Sequence, residues 1–259
     1  MKKINFKTYT SIHIGPSLHV EVITKPLHIK SDTFLLGGGN NILVSQNPPK
    51  MAMLGHIFNF LHVKNNLLHV GGATPSGKIL SFAKKYNIKN FELMQKLPGT
   101  LGGMIKMNAG LKKWNIFNYL VAVKTENGWH KKKDIEFDYR YTNIKGTIYE
   151  ATFEIHNGFD LELVKMFKKF RDNQPNLPSA GSCFKNPTDN FAGELLEIAG
   201  LKGYTKGNMA FCKTHANFLV NLGDGTFQDA IYLIELAKRK VFEKSGIALE
   251  LEIQVVSKI

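Results

Sequence analysis

The chain has 259 residues, 43% apolar and 21% charged, the balance of a soluble globular protein and not of a disordered one. Its 34 lysines and arginines against 21 aspartates and glutamates leave a formal charge of +13, which favours anionic partners. The lysines are scattered and no basic block is interleaved with stacking aromatics, so phosphate-bearing small ligands are expected and nucleic acid is not.

No window approaches the roughly 18–20 uninterrupted apolar residues of a membrane span. The basic start MKKINFKTYTSIHIG leads into no apolar run, so no secretory signal is expected. The two cysteines, Cys183 and Cys212, lack zinc-ligand spacing. A cytoplasmic chain with no metal site is the expectation.

In chain order, HVEVIT, FLLGG, NILVS and LLHVGG read as short strands broken by glycine-rich turns. The spacing of Ile79, Leu80, Phe82 and Ala83 predicts a helix over about 76–86. LVAVKTENGWHKK reads as a hairpin around Asn127-Gly128, and TIYEATFEI as a closing strand. Past residue 160 the pattern turns helical. LELVKMFKKFRDNQ gathers Leu163, Val164, Phe167 and Phe170 on one side. FAGELLEIAG follows, with Asn190 as its expected N-cap and Gly200 as its stop. Thr226 opens a long helix with Phe227, Ile231, Ile234, Ala237 and Val241 facing inward, and Gly246 closes it. The last stretch, LELEIQVV, alternates strictly and predicts a strand with Leu249, Leu251, Ile253 and Val255 on one face. The expected class is α+β, a β-rich region followed by an α+β region.

Three glycine-rich loops invite a phosphate. LLGGGNNILV sets Gly37, Gly38 and Gly39 before Asn40 and Asn41, and LPGTLGGMIKMNAG supplies Gly99, Thr100, Gly102, Gly103 and Asn108. Glycine allows close backbone approach and positive φ, so successive N–H groups can converge on an anion. A plain tight turn suits the first loop at least as well, but two such loops in one β-rich region favour a dinucleotide with its diphosphate between them. Neither loop has the GxGxxG spacing of a dinucleotide fold. The third, VGGATPSGKIL, has the frame of a P-loop, but Ile79 stands where Ser or Thr must hold magnesium, which argues against an NTPase.

Seven motifs in order resemble the UDP-N-acetylenolpyruvoylglucosamine reductase family, also called UDP-N-acetylmuramate dehydrogenase. LGGGNNILV is similar to that family's LGxGSN-LLV, with Asn40 for serine. LPGTLGGMIKMNAG is similar to IPGTVGGAVxxNAG, FDYRYTNIK to the YRYS motif with Thr142 for serine, and SAGSCFKNP to SAGSFFKNP with Cys183 as the change. AGLKG, KTHANFLVN and the terminal LELEIQVV complete the series over nearly the whole chain. Gly15-Pro16 departs from the family's usual GG. The short span from Arg140 to Ser182 resembles the subtype without the tyrosine-bearing capping loop.

The resemblance implies a two-lobed FAD-binding module of the vanillyl-alcohol-oxidase type over 1–156, with lobes near 1–65 and 66–156, and a substrate domain over 157–259. It implies non-covalent FAD, NADPH as hydride donor, UDP-N-acetylglucosamine enolpyruvate as substrate, and a monomer. Ser182 matches the family's proton donor, Arg140 the cation for the developing enolate, and Glu252 the carboxylate assisting protonation; the alternation alone leaves Glu250 and Glu252 equivalent. A serine hydroxyl is a weak acid, useful only towards a strongly basic partner such as a carbanion beside a carboxylate. Lys185, Asn186 and Lys202 fall in motifs suited to the uridine diphosphate, and Tyr139 and the two glycine loops in motifs suited to the flavin. Cys183 and His215 read as packing residues. Three alternatives remain at this point: another FAD oxidoreductase of the same superfamily, a basic nucleic-acid-binding protein, and, least favoured, a P-loop-like NTPase.

Overall fold

The computed structural model describes residues 1–258 and divides into two compact units. The first comprises Val20–Gly38 and Lys50–Asp172 with Met1; the second comprises Lys2–His19, Gly39–Pro49 and Asn173–Ile259.

The first unit is built on two sheets. In the smaller, Lys50–Leu54 lies between the Ser17–Ile23 and Thr33–Leu36 strands and runs parallel to both. In the larger, five antiparallel strands run in the order Gly128–Lys131, Leu120–Thr125, Glu150–Glu154, Leu67–Gly71, Leu61–Lys64. The period-two pattern settles its faces. Leu68, Val70, Val123, Ala151 and Phe153 are fully buried, and they pack with Ile79 and Ala83 of the Ser76–Lys85 helix and with Met104 and Ile105 of Leu101–Lys106. The opposite face carries His62 stacked on His69, whose Nδ1 lies 2.6 Å from Glu150.

Two expected boundaries move. The lobe boundary near 65 falls on the turn Asn65-Asn66 of a hairpin, whose strands Leu61–Lys64 and Leu67–Gly71 pair along their length and belong to one sheet. The domain boundary at 156/157 is displaced to 172/173, because the Leu161–Phe170 helix buries Phe167 in the first unit's core.

The second unit is an antiparallel sheet, Ser179–Ser182, Phe218–Asn221, Met209–Phe211, Thr205–Lys206, packed against the Ala192–Ile198 and Phe227–Ser245 helices. Thr226 caps the long helix through its hydroxyl, which accepts the Asp229 N–H at 3.0 Å, and Gly246 ends it at φ +70°. Gly200 likewise follows the shorter helix at φ +72°. The expected cap Asn190 is not used: Phe191 holds the N-cap position, and the Asn186 side chain takes the Ala192 N–H. The long terminal strand is also shorter than its pattern. Only Gln254–Val256 forms a strand, parallel to Ile42–Val44, and Val255 is exposed while Val256 is buried. The alternation slips by one residue where the segment changes partner.

Among the described residues, no helix is long and apolar enough to cross a membrane, and no group of three or more His, Cys, Asp or Glu side chains could hold a metal.

Candidate functional site

In the second unit, the Ser179–Ser182 strand departs from regular pairing. Ser179 faces Val220 and Ser182 faces Phe218, so three steps on one strand answer two on the other. The extra residue makes a β-bulge, and Gly181 absorbs it at φ +82°. An added Cβ there would meet nothing within 4 Å, so backbone conformation, not space, requires the glycine. Ser182 emerges half-buried while the next residue, Cys183, is fully buried in the core. Burial pushes the Cys183 thiol far above its ordinary value, opposed by the Lys238 charge and helped by a smaller contribution from Glu252, so the position favours a thiol and not a thiolate nucleophile.

The terminal segment lies alongside. The Glu252 N–H donates to the Cys183 carbonyl at 2.9 Å, and the Lys185 N–H donates to the Glu250 carbonyl at 2.9 Å. This ladder separates the two glutamates that the alternation left equivalent. Glu250 is exposed and paired with the Lys185 ammonium at 2.5 Å, whereas Glu252 is half-buried beside the residue that follows Ser182. Asn41 secures it further: its side-chain N–H donates to the Glu252 carbonyl at 2.9 Å, and its own carbonyl accepts the Gln254 N–H. Of the expected substrate contacts, Lys185 is thus engaged with Glu250, Lys202 with Glu197 at 2.8 Å, and Asn186 with the start of a helix. His215 packs edge-on against Phe218, with burial lowering its pKa.

In the first unit, Gly37 at the start of the first glycine loop approaches the Thr100 hydroxyl of the second. A Cβ at Gly37 would lie 3.4 Å from Thr100 Oγ1 and one at Gly103 3.8 Å from it. Gly102 serves a different end: its N–H donates to the Gly72 carbonyl at 2.9 Å, and Leu101 and Ser76 zip the same two segments through Thr74 and Gly99. The P-loop-like stretch is therefore spent on backbone pairing. Its Ile79 is fully buried, and Lys78 turns to the Asn59 side chain at 2.9 Å.

Tyr139 and Arg140 form the turn between the two-residue strands Phe137–Asp138 and Tyr141–Thr142. Arg140 sits at φ +55°, a left-handed conformation uncommon outside glycine, with its guanidinium 4.9 Å from the Tyr139 ring centroid. Two side chains tether this turn to the helix after the second glycine loop. Asn108 Nδ2 donates to the Asp138 carbonyl at 2.9 Å, and Thr142 Oγ1 donates to the Lys106 carbonyl at 3.1 Å. Asn108 Oδ1 is buried with no hydrogen-bond partner among the described residues.

One cation here escaped the sequence reading. Arg171 is 7% exposed and donates to the Leu93 carbonyl at 3.1 Å and to that of Gln95. Burial, with the neighbouring Arg140 charge, lowers its pKa to about 10. It anchors the segment leading into the second glycine loop. A single arginine at a helix end carries no pattern that would announce this.

Comparison with known proteins matches the chain to one group. Residues 173–256, nearly the extent of the second unit's last and longest segment, match the model of the UDP-N-acetylenolpyruvoylglucosamine reductase C-terminal domain. The chain is 45% identical over 257 residues to the UDP-N-acetylenolpyruvoylglucosamine reductase of Helicobacter hepaticus, covering 98% of each. It is 43% identical over 258 residues to that of Campylobacter jejuni, covering 98% of this chain and 99% of the other. The crystal structure of the Thermus caldophilus enzyme, UDP-N-acetylenolpyruvylglucosamine reductase, superimposes with a TM-score of 0.82 at 26% identity, covering 98% of both chains. At this identity over essentially the full length, the chain belongs to the UDP-N-acetylenolpyruvoylglucosamine reductase family.

Proposed function

We propose that the chain reduces UDP-N-acetylglucosamine enolpyruvate to UDP-N-acetylmuramate, the lactyl ether made for peptidoglycan, using FAD and NADPH. The observation that carries this reading is the bulge that presents Ser182 beside a segment holding Glu252.

The residues of the first unit fit a flavin. Gly37 and Gly103 leave room around the Thr100 hydroxyl that a Cβ would fill, and the orphaned Asn108 Oδ1 needs a donor such as a ring N–H. When bound, the flavin would relay a hydride from NADPH to C3 of the substrate. The chain's own groups do the rest. Hydride arrival at C3 moves negative charge towards C2 and its carboxylate, where the fixed charge and forked donors of Arg140 stabilise it. Ser182 delivers the proton to C2, and Glu252 assists through hydrogen bonding. Lys185 and Lys202, freed from Glu250 and Glu197, would receive the diphosphate, with Asn186 beside them. In this reading the two sheets of the first unit are the lobes of a vanillyl-alcohol-oxidase-type module, Asn40, Asn41 and Tyr139 border the flavin, and the second unit binds substrate. The enzyme is a cytoplasmic monomer.

Stopped-flow measurement tests it. NADPH should bleach the flavin, and UDP-N-acetylglucosamine enolpyruvate should restore its colour with formation of UDP-N-acetylmuramate. A purified protein without flavin absorbance, or a bleached one that the enolpyruvyl substrate leaves colourless, would reject the proposal. Denaturation should release free FAD; flavin that stays attached would point to another oxidoreductase of the superfamily.

A further inference from the structure

Past the bulge, residues 183–185 no longer have a full strand on both sides. On one side the main chain of Glu250 and Glu252 bonds Lys185 and Cys183. On the other, Phe184 would present a buried N–H and a buried C=O, since its side chain is fully enclosed. Both groups are taken by one side chain. Asn217 Oδ1 accepts the Phe184 N–H at 2.9 Å, and Asn217 Nδ2 donates to the Phe184 carbonyl at 2.8 Å. The Asn217 carbonyl also accepts the Cys183 N–H at 2.7 Å. Asn217 is itself 4% exposed, and the next residue, Phe218, is the register partner of Ser182. The side chain thus substitutes for a missing rung of sheet immediately after the bulge.

We infer that Asn217 is a positioning residue for the half-reaction in which substrate reoxidises the flavin, acting by clamping the backbone from which Ser182 projects. The inference rests on the reading of Ser182 as proton donor. A hydroxyl that must meet a transient carbanion tolerates little displacement, and a misplacement of about 1 Å can cost roughly 100-fold in rate. Apolar Asn217→Leu keeps the approximate volume and removes both hydrogen bonds.

The experiment uses flavin-loaded full-length enzyme and compares wild type, Ser182→Ala, Asn217→Leu and the double variant in both half-reactions. Asn217→Leu is expected to leave flavin reduction by NADPH within about twofold while slowing flavin reoxidation by substrate roughly 10- to 100-fold. In the Ser182→Ala background it should add nothing further, because the hydroxyl it places is gone. Equal slowing of both half-reactions, or a full additional loss in the double variant, overturns the clamp. If Ser182→Ala alone reoxidises at the wild-type rate, the proton-donor reading falls by itself, separately from Asn217.

Should Asn217→Leu not hold flavin, Asn217→Asp supplies the test. Its carboxyl still accepts the Phe184 N–H, and only the protonated form can donate to the Phe184 carbonyl. Reoxidation by this variant should therefore recover as pH falls, with flavin reduction unchanged. A wild-type rate and wild-type pH profile would overturn the proposal.

Discussion

Each unit contains a β-bulge, and the two differ in what they ask of the chain. In the first unit Leu120 faces Phe153 and Ala122 faces Thr152, so Val121 is the extra residue. It is absent from the residues with positive φ, and its side chain is half-buried. In the second unit the extra residue falls in Ser179–Ser182, and Gly181 adopts a left-handed conformation to accommodate it. One bulge bends a strand within ordinary backbone geometry. The other spends an unusual conformation directly before a hydroxyl, which is where strain is found when a side chain has to be aimed. The difference sets the second bulge apart from an ordinary scaffold irregularity without reference to any motif, in keeping with the role proposed for Ser182.

The sharpest test removes the aimed group. Ser182→Ala should reduce the rate of flavin reoxidation by about 100- to 10,000-fold while sparing reduction by NADPH, read as two stopped-flow phases. Next comes the bulge itself. Gly181→Val forces a β-branched residue into a left-handed conformation, costing about 1–3 kcal/mol of stability in thermal or denaturant unfolding. Because the backbone will relax towards negative φ, reoxidation should also slow by roughly tenfold or more. Gly181→Asn, which tolerates that conformation, should lie between the glycine and the valine. Val121→Ala should leave both half-reactions unchanged. If Val121→Ala and Gly181→Val damage reoxidation equally, the two bulges are equivalent and the distinction fails.

Local pattern carried most of the fold. Alternation located the strands about Leu68, Val70 and Val123, and the caps Thr226, Gly246 and Gly200 marked helix ends because each satisfies a local backbone demand. Pattern failed where the deciding neighbour is remote. Asn41 and Glu252 stand 211 residues apart, and nothing in NNILV discloses that its amide holds the last segment. LELEIQVV reads as one strand because alternation records burial, yet its first half pairs beside Cys183 and its second with Ile42–Val44. Phe167 looked like a core residue of whatever followed it, and periodicity cannot name which core. The candidate site was legible as residue types through its motifs. Asn217 and Arg171 were not, since a single buried polar residue bonding to backbone leaves no periodic trace.

The flavin contact proposed for the first unit is open to a milder perturbation. Asn108→Ala removes both the orphaned acceptor and the tether to Asp138. Loss of one such buried hydrogen bond is worth about 1.4 kcal/mol, so titration of the apoprotein should show FAD affinity weakened by roughly tenfold. At saturating FAD, the Ser182-dependent step should fall far less than it does in Ser182→Ala. Unchanged affinity would mean that Asn108 Oδ1 does not face the cofactor.

The gentlest probe is pH, applied to the residue next to Ser182. The Cys183 thiol is fully buried, and its pKa in the folded chain is raised far above the ordinary 9.0 by desolvation, which outweighs the lowering by the Lys238 charge. Between those two values the unfolded chain has lost the thiol proton and the folded chain keeps it. The unfolded state then binds fewer protons, and stability falls as pH rises. Below pH about 8 the group is neutral in both states and contributes no slope. Above about 9, it should contribute a loss of at most about 1.4 kcal/mol per pH unit. Cys183→Ala removes that contribution whatever else titrates, so the difference between the two stability curves isolates it. The variant will start less stable, because it leaves a small cavity. Its curve should nevertheless decline less steeply than wild type on the alkaline side, and the gap between them should narrow. Parallel curves from pH 7 to 10 would show that the thiol can ionise in place, and hence that the strand following Ser182 opens to water more readily than its buried ladder implies.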